Sequence, residues 1–201
     1  MTMAPLITAV ILTPLKINFS EPDWTALQHI STFSGLEGLH QARLDSFEKV
    51  KTPYCMWVDD DDELPAGSLE LFHRLIALMQ ARNYAIGYTD SIVRIDGKPD
   101  RRDAPGPHKP VKHYTSANYL HKAVVMRTAD ALSQARALPK GLYWTECMIY
   151  SALARGGAAY IPEVGYVWNK KEAGMHRHEQ IDTAQYAAMH WYLKAFPIKL
   201  S

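Results

Sequence analysis

Tyr54-Cys-Met-Trp-Val-Asp-Asp-Asp-Asp-Glu-Leu-Pro65 is an apolar run of strand length that passes directly into five acidic residues and a Leu-Pro turn. A short apolar run of this kind suits a strand buried on both faces. Clustered carboxylates repel one another and destabilise the chain unless a cation neutralises them. In open α/β sheets, ligands bind just beyond the carboxyl ends of the strands, which is where these aspartates follow Val58. The stretch therefore predicts an α/β fold with a cation-holding site at Asp59, Asp60, Asp61 and Asp62. A solvated acidic turn is the alternative that the run by itself leaves open. Oxygen-only ligands suit Mg²⁺ or Mn²⁺, which takes one or two carboxylates and completes its shell with water and substrate phosphates.

Upstream, Leu6-Ile-Thr-Ala-Val-Ile-Leu-Thr13 is β-branched and unalternating, the pattern of a central strand. Residues 23–30 give a weak helix pattern, and Leu36, Leu39, Arg43, Phe47 and Val50 recur at helical spacing before Thr52-Pro53. Downstream, Ser68 is placed to cap a helix with an apolar stripe of Leu69, Phe72, Leu75, Ile76 and Met79. Residues 84–88 and 91–95 read as two strands, closed by an Asp96-Gly97 turn. Positions 94–113 then hold six Lys or Arg, three Asp and four Pro with almost no apolar residues, the composition of a mobile basic loop. A strand at 123–126, a helix at 129–137 capped by Thr128, and a helix from 145 to 155 ending at Gly156-Gly157 follow. Short strands at 158–161 and 165–168 and a helix at 179–195 complete the pattern.

A chain of 201 residues supports a single domain, 1–201, with a sizeable core. With 47% hydrophobic and 21% charged residues and a formal net charge of +1, the composition is globular, and overall charge gives no reason to expect nucleic acid. Cys55 and Cys147 both lie in apolar stretches and are expected to be buried free thiols in a reducing compartment. No apolar run approaches the roughly 20 residues that cross a bilayer, and residues 4–13 lack a basic flank and a cleavage site. A cytoplasmic protein is expected.

Gly38-Leu-His-Gln-Ala-Arg43 followed by the 52–65 stretch resembles the hallmark of the GT-A-fold glycosyltransferases of family 2. In that family a helix of small residues and arginine precedes an apolar strand and an aspartate-rich metal motif. The resemblance implies a GT-A (Rossmann-like) mixed sheet flanked by helices. It also implies a nucleotide-sugar donor, a UDP-sugar first among them. On that match Asp59 and Asp61 are metal ligands, Asp60 falls on the variable middle position, and Arg43 lies near the nucleotide. No aspartate-bearing second strand of the kind usual in the family is visible between Thr13 and Gly38, so either Thr13, Pro14 and the Phe33-Ser34 region form an abbreviated base pocket or nucleotide selectivity has been reworked.

Trp144-Thr-Glu-Cys147 and the residues to Trp168 are similar to the family's acceptor-side segment, in which an acidic pair supplies the base that deprotonates the acceptor hydroxyl. Here the pair is Glu146-Cys147, so Glu146 is the candidate base. A glutamate favoured by the dipole at a helix start is the equal alternative. In Met175-His-Arg-His178, similar enzymes place a further metal ligand; His176 leads His178, and Arg177 with Lys170 or Lys171 would offset diphosphate charge. A His-x-His also arises by chance in a chain with nine histidines. His121 could touch acceptor or sugar, or simply be a satisfied polar residue at a strand start, and Trp144 could stack on a sugar or fill the core.

The expected activity is a metal-dependent, inverting single displacement onto an acceptor hydroxyl of a glycan or a hydroxylated DNA base. Two rivals remain: a nucleotide-sugar-binding protein without catalysis, and a nucleotidyltransferase. The second normally carries a glycine-rich loop after the first strand, which Thr13-Pro-Leu-Lys16 lacks.

Overall fold

In the computed structural model, residues 5–13, 25–30, 37–96, 98–109, 120, 122–138 and 145–170 are described. Within them one seven-stranded mixed sheet is built from β1 (Ile7–Thr13), β2 (Thr25–Ile30), β3 (Tyr54–Asp59), β4 (Ile86–Ile95), β5 (Arg101–Asp103), β6 (Val124–Arg127) and β7 (Ala159–Lys170). Four helices accompany it: α1 (Glu37–Lys49), α2 (Ser68–Arg82), α3 (Thr128–Ala137) and α4 (Thr145–Leu153).

The strand order is β2-β1-β3-β6-β4-β5. β1 is parallel to β2 and β3, whereas β6 runs antiparallel to both β3 and β4. One edge of β4 is shared by β6, at Ile86 to Tyr88, and β5, at Ser91 to Val93; β7 runs parallel along the other. Alternation along β3 divides the interior. Tyr54, Met56 and Val58 face one core with Phe72, Leu75, Ile76 and Met79 of α2. Cys55 and Trp57 face a second with Phe47 of α1, Ala131 and Ala135 of α3, and Ile149, Tyr150 and Leu153 of α4. With both faces covered, central strands are expected to be mainly apolar, and β1 and β3 are, apart from the buried Thr8, whose hydroxyl hydrogen-bonds Thr52, and the terminal Thr13 and Asp59.

The main elements match the sequence pattern, and several details do not. Residues 25–30 form a strand, not a helix, because they hydrogen-bond in register with Thr8 to Thr13. The pairs of short strands expected at 84–95 and 158–168 are each one continuous strand. The break read at Thr89-Asp90 is instead a bulge in the β4–β7 pairing, where Asp90 aligns with Val164 and Ser91 with Tyr166. Ser68 and Thr128 do not cap: the cap positions are Gly67, in a left-handed conformation with φ of 83°, and Arg127. The Ser68 hydroxyl donates to the Gly165 carbonyl at 3.0 Å. Both cysteines are buried and free, as expected.

The basic segment is not a plain loop. β5 lies within it, and Arg102 anchors it to the buried Asp90, its Nε donating to Asp90 Oδ2 at 2.8 Å. The Tyr88 hydroxyl donates to the Gly106 carbonyl at 2.8 Å, a second tether. Positions 97 and 110–113 of that segment, and the helix expected at 179–195, lie outside the described residues.

Candidate active site

Asp59 ends β3, and Asp60, Asp61 and Asp62 make the turn that follows. The turn is fastened to β7 through Glu63 and Val167, which exchange backbone hydrogen bonds of 3.0 and 2.9 Å. Asn169 reinforces it: its backbone N–H donates to Asp62 Oδ1 at 2.8 Å and its Nδ2 to the Asp61 carbonyl at 2.8 Å. Arg94 on β4 pairs with Glu63 at 2.7 Å, taking up that fifth acidic side chain. Asp60 and Asp61 remain exposed at the surface of the turn.

Lys122 supplies the positive charge that the acidic run calls for. Its ammonium contacts Asp59 and lies 3.5 Å from Asp62 Oδ2. Aromatic rings wall it in, with Trp168 centred 5.4 Å and Tyr166 6.0 Å away. The Tyr166 hydroxyl accepts from the Asp59 N–H at 3.1 Å and donates to Asp62 Oδ2 at 2.7 Å. Lys122 reaches this place because Ala123, the next residue, bends the chain with φ of 57° before β6 begins. The Ala123 carbonyl is held by the Thr89 N–H at 3.2 Å.

Burial shapes the charges here. It pushes the Asp62 carboxyl from 3.8 up to about 6, with the charge of Asp59 adding to the rise, while Lys122, Tyr166 and Asn169 hold it back. Burial would lower the pKa of Lys122, but the carboxylates of Asp59 and Asp62, and then Glu146, outweigh it and leave the ammonium above its ordinary value. Glu146 thus lies within electrostatic reach of the same lysine.

Glu146 stands in the first turn of α4, is buried, and forms an ion pair with Arg43 of α1. Arg43 Nη1 also donates to Thr145 Oγ1 at 3.3 Å, and its guanidinium lies 5.2 Å from the Trp57 ring centre. Trp57 is itself packed between Phe47, centred 4.7 Å away, and Tyr150 at 5.7 Å. Apart from the ion pair, Glu146 Oε2 makes no hydrogen bond among the described residues. The buried Cys147 thiol and Tyr150 hydroxyl next to it are both pushed up, by burial first and then by the charge of Glu146.

The fold therefore brings Arg43, Asp59, Asp60, Asp61 and Glu146 to one region around the carboxyl end of β3. Thr13 is the last residue of the neighbouring β1. Lys170 ends β7, with its ammonium 5.3 Å from the Trp168 ring centre. Pro14, His121, Trp144, Lys171, His176, Arg177 and His178 lie outside the described residues. Sequence reasoning missed Lys122, Tyr166 and Asn169. The signal available for Lys122 was its position beside His121, in the segment already matched to the acceptor side.

Asp59 and Asp61 offer the hard oxygens that Mg²⁺ or Mn²⁺ takes, and the Lys122 ammonium on Asp59 is a stand-in cation showing that the position accepts positive charge. Among the described residues, no three His, Cys, Asp or Glu side chains are placed to hold a metal ion together. An ion held there would draw its remaining ligands from water and phosphate oxygens.

No protein-family model matches the sequence, and no curated protein matches it. Solved structures do. The crystal structure of S. aureus TarS 1-349 in complex with UDP superposes with a TM-score of 0.62 at 10% identity, over 96% of this chain and 67% of that one. The same fragment in complex with UDP-GlcNAc gives 0.61 at 13% identity, over 98% and 68%. This is a GT-A-like fold. The 1-349 fragment without a named ligand gives 0.54 at 12% identity, over 82% of this chain and 60% of that one, so the GT-A-like chain spans about two thirds of these relatives. No described helix is long and apolar enough to cross a membrane.

Proposed function

We propose that the chain is a metal-dependent glycosyltransferase that moves a sugar from a nucleotide-diphosphate donor, first a UDP-sugar, to an acceptor hydroxyl with inversion. One observation carries the reading: Asp59, Lys122 and Glu146 share one electrostatic neighbourhood at the carboxyl end of β3, where a GT-A-like sheet presents its ligands. The TarS structures of like fold that contain UDP and UDP-GlcNAc support the donor class.

In this mechanism Glu146 takes the proton of the acceptor hydroxyl as the oxygen attacks the anomeric carbon. The bond from that carbon to the diphosphate breaks, and its electron pair leaves with the phosphate oxygen. A divalent ion on Asp59 and Asp61, with His176 as a further ligand, would stabilise the charge developing on the leaving group. Thr13, Pro14, Arg43, Asp60 and Arg177 are assigned to the nucleotide side. Glycan hydroxyls and hydroxylated DNA bases are the acceptors to screen.

Calorimetric titration with UDP and UDP-sugars, with and without Mn²⁺, tests the donor site. Binding that needs Mn²⁺ and disappears in an Asp59→Ala, Asp61→Ala double variant is the expected result; a folded wild type that binds no nucleotide sinks the proposal. Glu146→Gln should retain donor binding and lose turnover by roughly 10²–10⁴-fold.

A second reading, donor binding without catalysis, draws support from the Arg43–Glu146 ion pair. A carboxylate oxygen engaged by a guanidinium is not free to take the proton of an acceptor hydroxyl. Metal-dependent binding without transfer to any screened acceptor, and without donor hydrolysis, would select it.

A further inference from the structure

Lys122 is more than a strut between strands. Its ammonium lies against two carboxylates, Asp59 and Asp62. The lysine side chain is 11% exposed and the Asp62 side chain is buried, whereas the Asp59 side chain is 54% exposed. One face of the Asp59 carboxylate therefore meets a fixed internal cation, while solvent reaches the rest. A divalent cation binding to Asp59 would lie close to the ammonium, and the two positive charges would repel. That repulsion is relieved when a dianionic or trianionic group enters between them and accepts hydrogen bonds from the ammonium.

We propose that Lys122 is an exchangeable counter-ion, which occupies the carboxylates when no donor is present and passes to the donor diphosphate when a metal ion arrives on Asp59. The idea rests on the donor-site reading above. It adds that the lysine makes metal binding conditional on the nucleotide: it disfavours the bare metal complex and favours the ternary one. By linkage, nucleotide must strengthen metal binding by the factor by which metal strengthens nucleotide binding. The rings of Trp168 and Tyr166 flank the ammonium, and the bend at Ala123 precedes the strand that carries the chain away from the turn.

The test uses Mn²⁺ alone, followed by electron paramagnetic resonance, and UDP in the presence of saturating Mn²⁺, followed by calorimetry. Lys122→Met should bind Mn²⁺ alone on the order of tenfold more tightly than wild type, because the competing charge is gone. The same variant should bind UDP with Mn²⁺ on the order of tenfold more weakly. Lys122→Arg, which keeps the charge, should leave Mn²⁺ affinity near that of wild type. Unchanged or weaker Mn²⁺ binding by Lys122→Met overturns the proposal. Should Lys122→Met fail to fold, Lys122→Gln takes its place; failure of both to fold makes Lys122 a structural strut and also overturns it. Tighter Mn²⁺ binding by the variant, with UDP bound by neither protein, would keep the competition at Asp59 and defeat the donor-site reading instead.

Discussion

Asp90, at the bulge inside β4, and Asp62, in the turn after β3, both have buried side chains, and each accepts a hydrogen bond from a tyrosine hydroxyl and faces a cation, yet their surroundings differ. Asp90 takes the Tyr160 hydroxyl at 2.6 Å and a two-pronged contact from Arg102, one guanidinium for one carboxylate. Asp62 takes the Tyr166 hydroxyl at 2.7 Å but shares Lys122 with Asp59, one ammonium for two carboxylates. The Asp90 carboxylate is matched by its own guanidinium, and that pair pins β5 to the β4–β7 bulge. In the Asp90 cluster the member that meets solvent is the guanidinium, and in the Asp62 cluster it is a carboxylate, Asp59. The contrast lies in which sign of charge each cluster presents to an incoming ion.

Breaking the Asp90 cluster should do the most damage to stability. Arg102→Met leaves the buried Asp90 carboxylate without its cation, and unfolding in urea at pH 7 should show a loss of about 3 kcal/mol, the low end for a buried pair because the guanidinium is half in solvent, with Mn²⁺ and nucleotide affinities unchanged. A comparable shift in Mn²⁺ affinity would erase the distinction between the two sites.

Asp62 gives the next largest effect, and it depends on pH. Its folded value of about 6 lies above the unfolded 3.8, so the folded state holds the proton more tightly. The stabilisation from the protonated form is complete below about 3.8 and is lost as pH rises through about 6. Asp62→Asn escapes that loss. Relative to wild type, its stability should improve by up to about 3 kcal/mol between pH 4 and pH 7, measured by urea unfolding in the presence of a chelator. A difference that stays constant across this range would contradict the assignment.

Tyrosine removal sharpens the comparison at the smallest scale. Tyr166→Phe deletes an acceptor for the Asp59 N–H and a donor to Asp62, and Tyr160→Phe deletes a single donor to Asp90. Thermal unfolding should place the first at about 1–2 kcal/mol and the second at about 1 kcal/mol. The reverse order would mean that the acidic turn is held by Glu63 and Asn169 alone.

The centre of the fold was legible because β1 and β3 are apolar on both faces, a pattern that few alternatives satisfy, and because the acidic run has a fixed place at the end of β3. Residues 25–30 were not legible as a strand: Thr-Ala-Leu-Gln-His-Ile has no decisive period, and its conformation is set by pairing with β1. Asp90 and Pro162 read as breaks in β4 and β7. In the fold Arg102 and Tyr160 satisfy the aspartate, while the proline, which has no N–H to donate, falls in the bulge between Ile161 and Val164. At the site, Arg43, Asp59 and Glu146 stood out as chemistry-bearing residues in the sequence. Lys122 did not, because a lone lysine resembles any surface residue until folding sets it against an aspartate 63 positions away.

The left-handed backbone of Ala123 has a further consequence. An alanine in that region carries roughly 1–2 kcal/mol of local strain that a glycine would not. Glycine would make the same bend easily, and many others besides, so the lysine before it would sample a wider cone of directions. The methyl group narrows that cone, and the fold accepts a locally uncomfortable residue in return for one well-aimed charge.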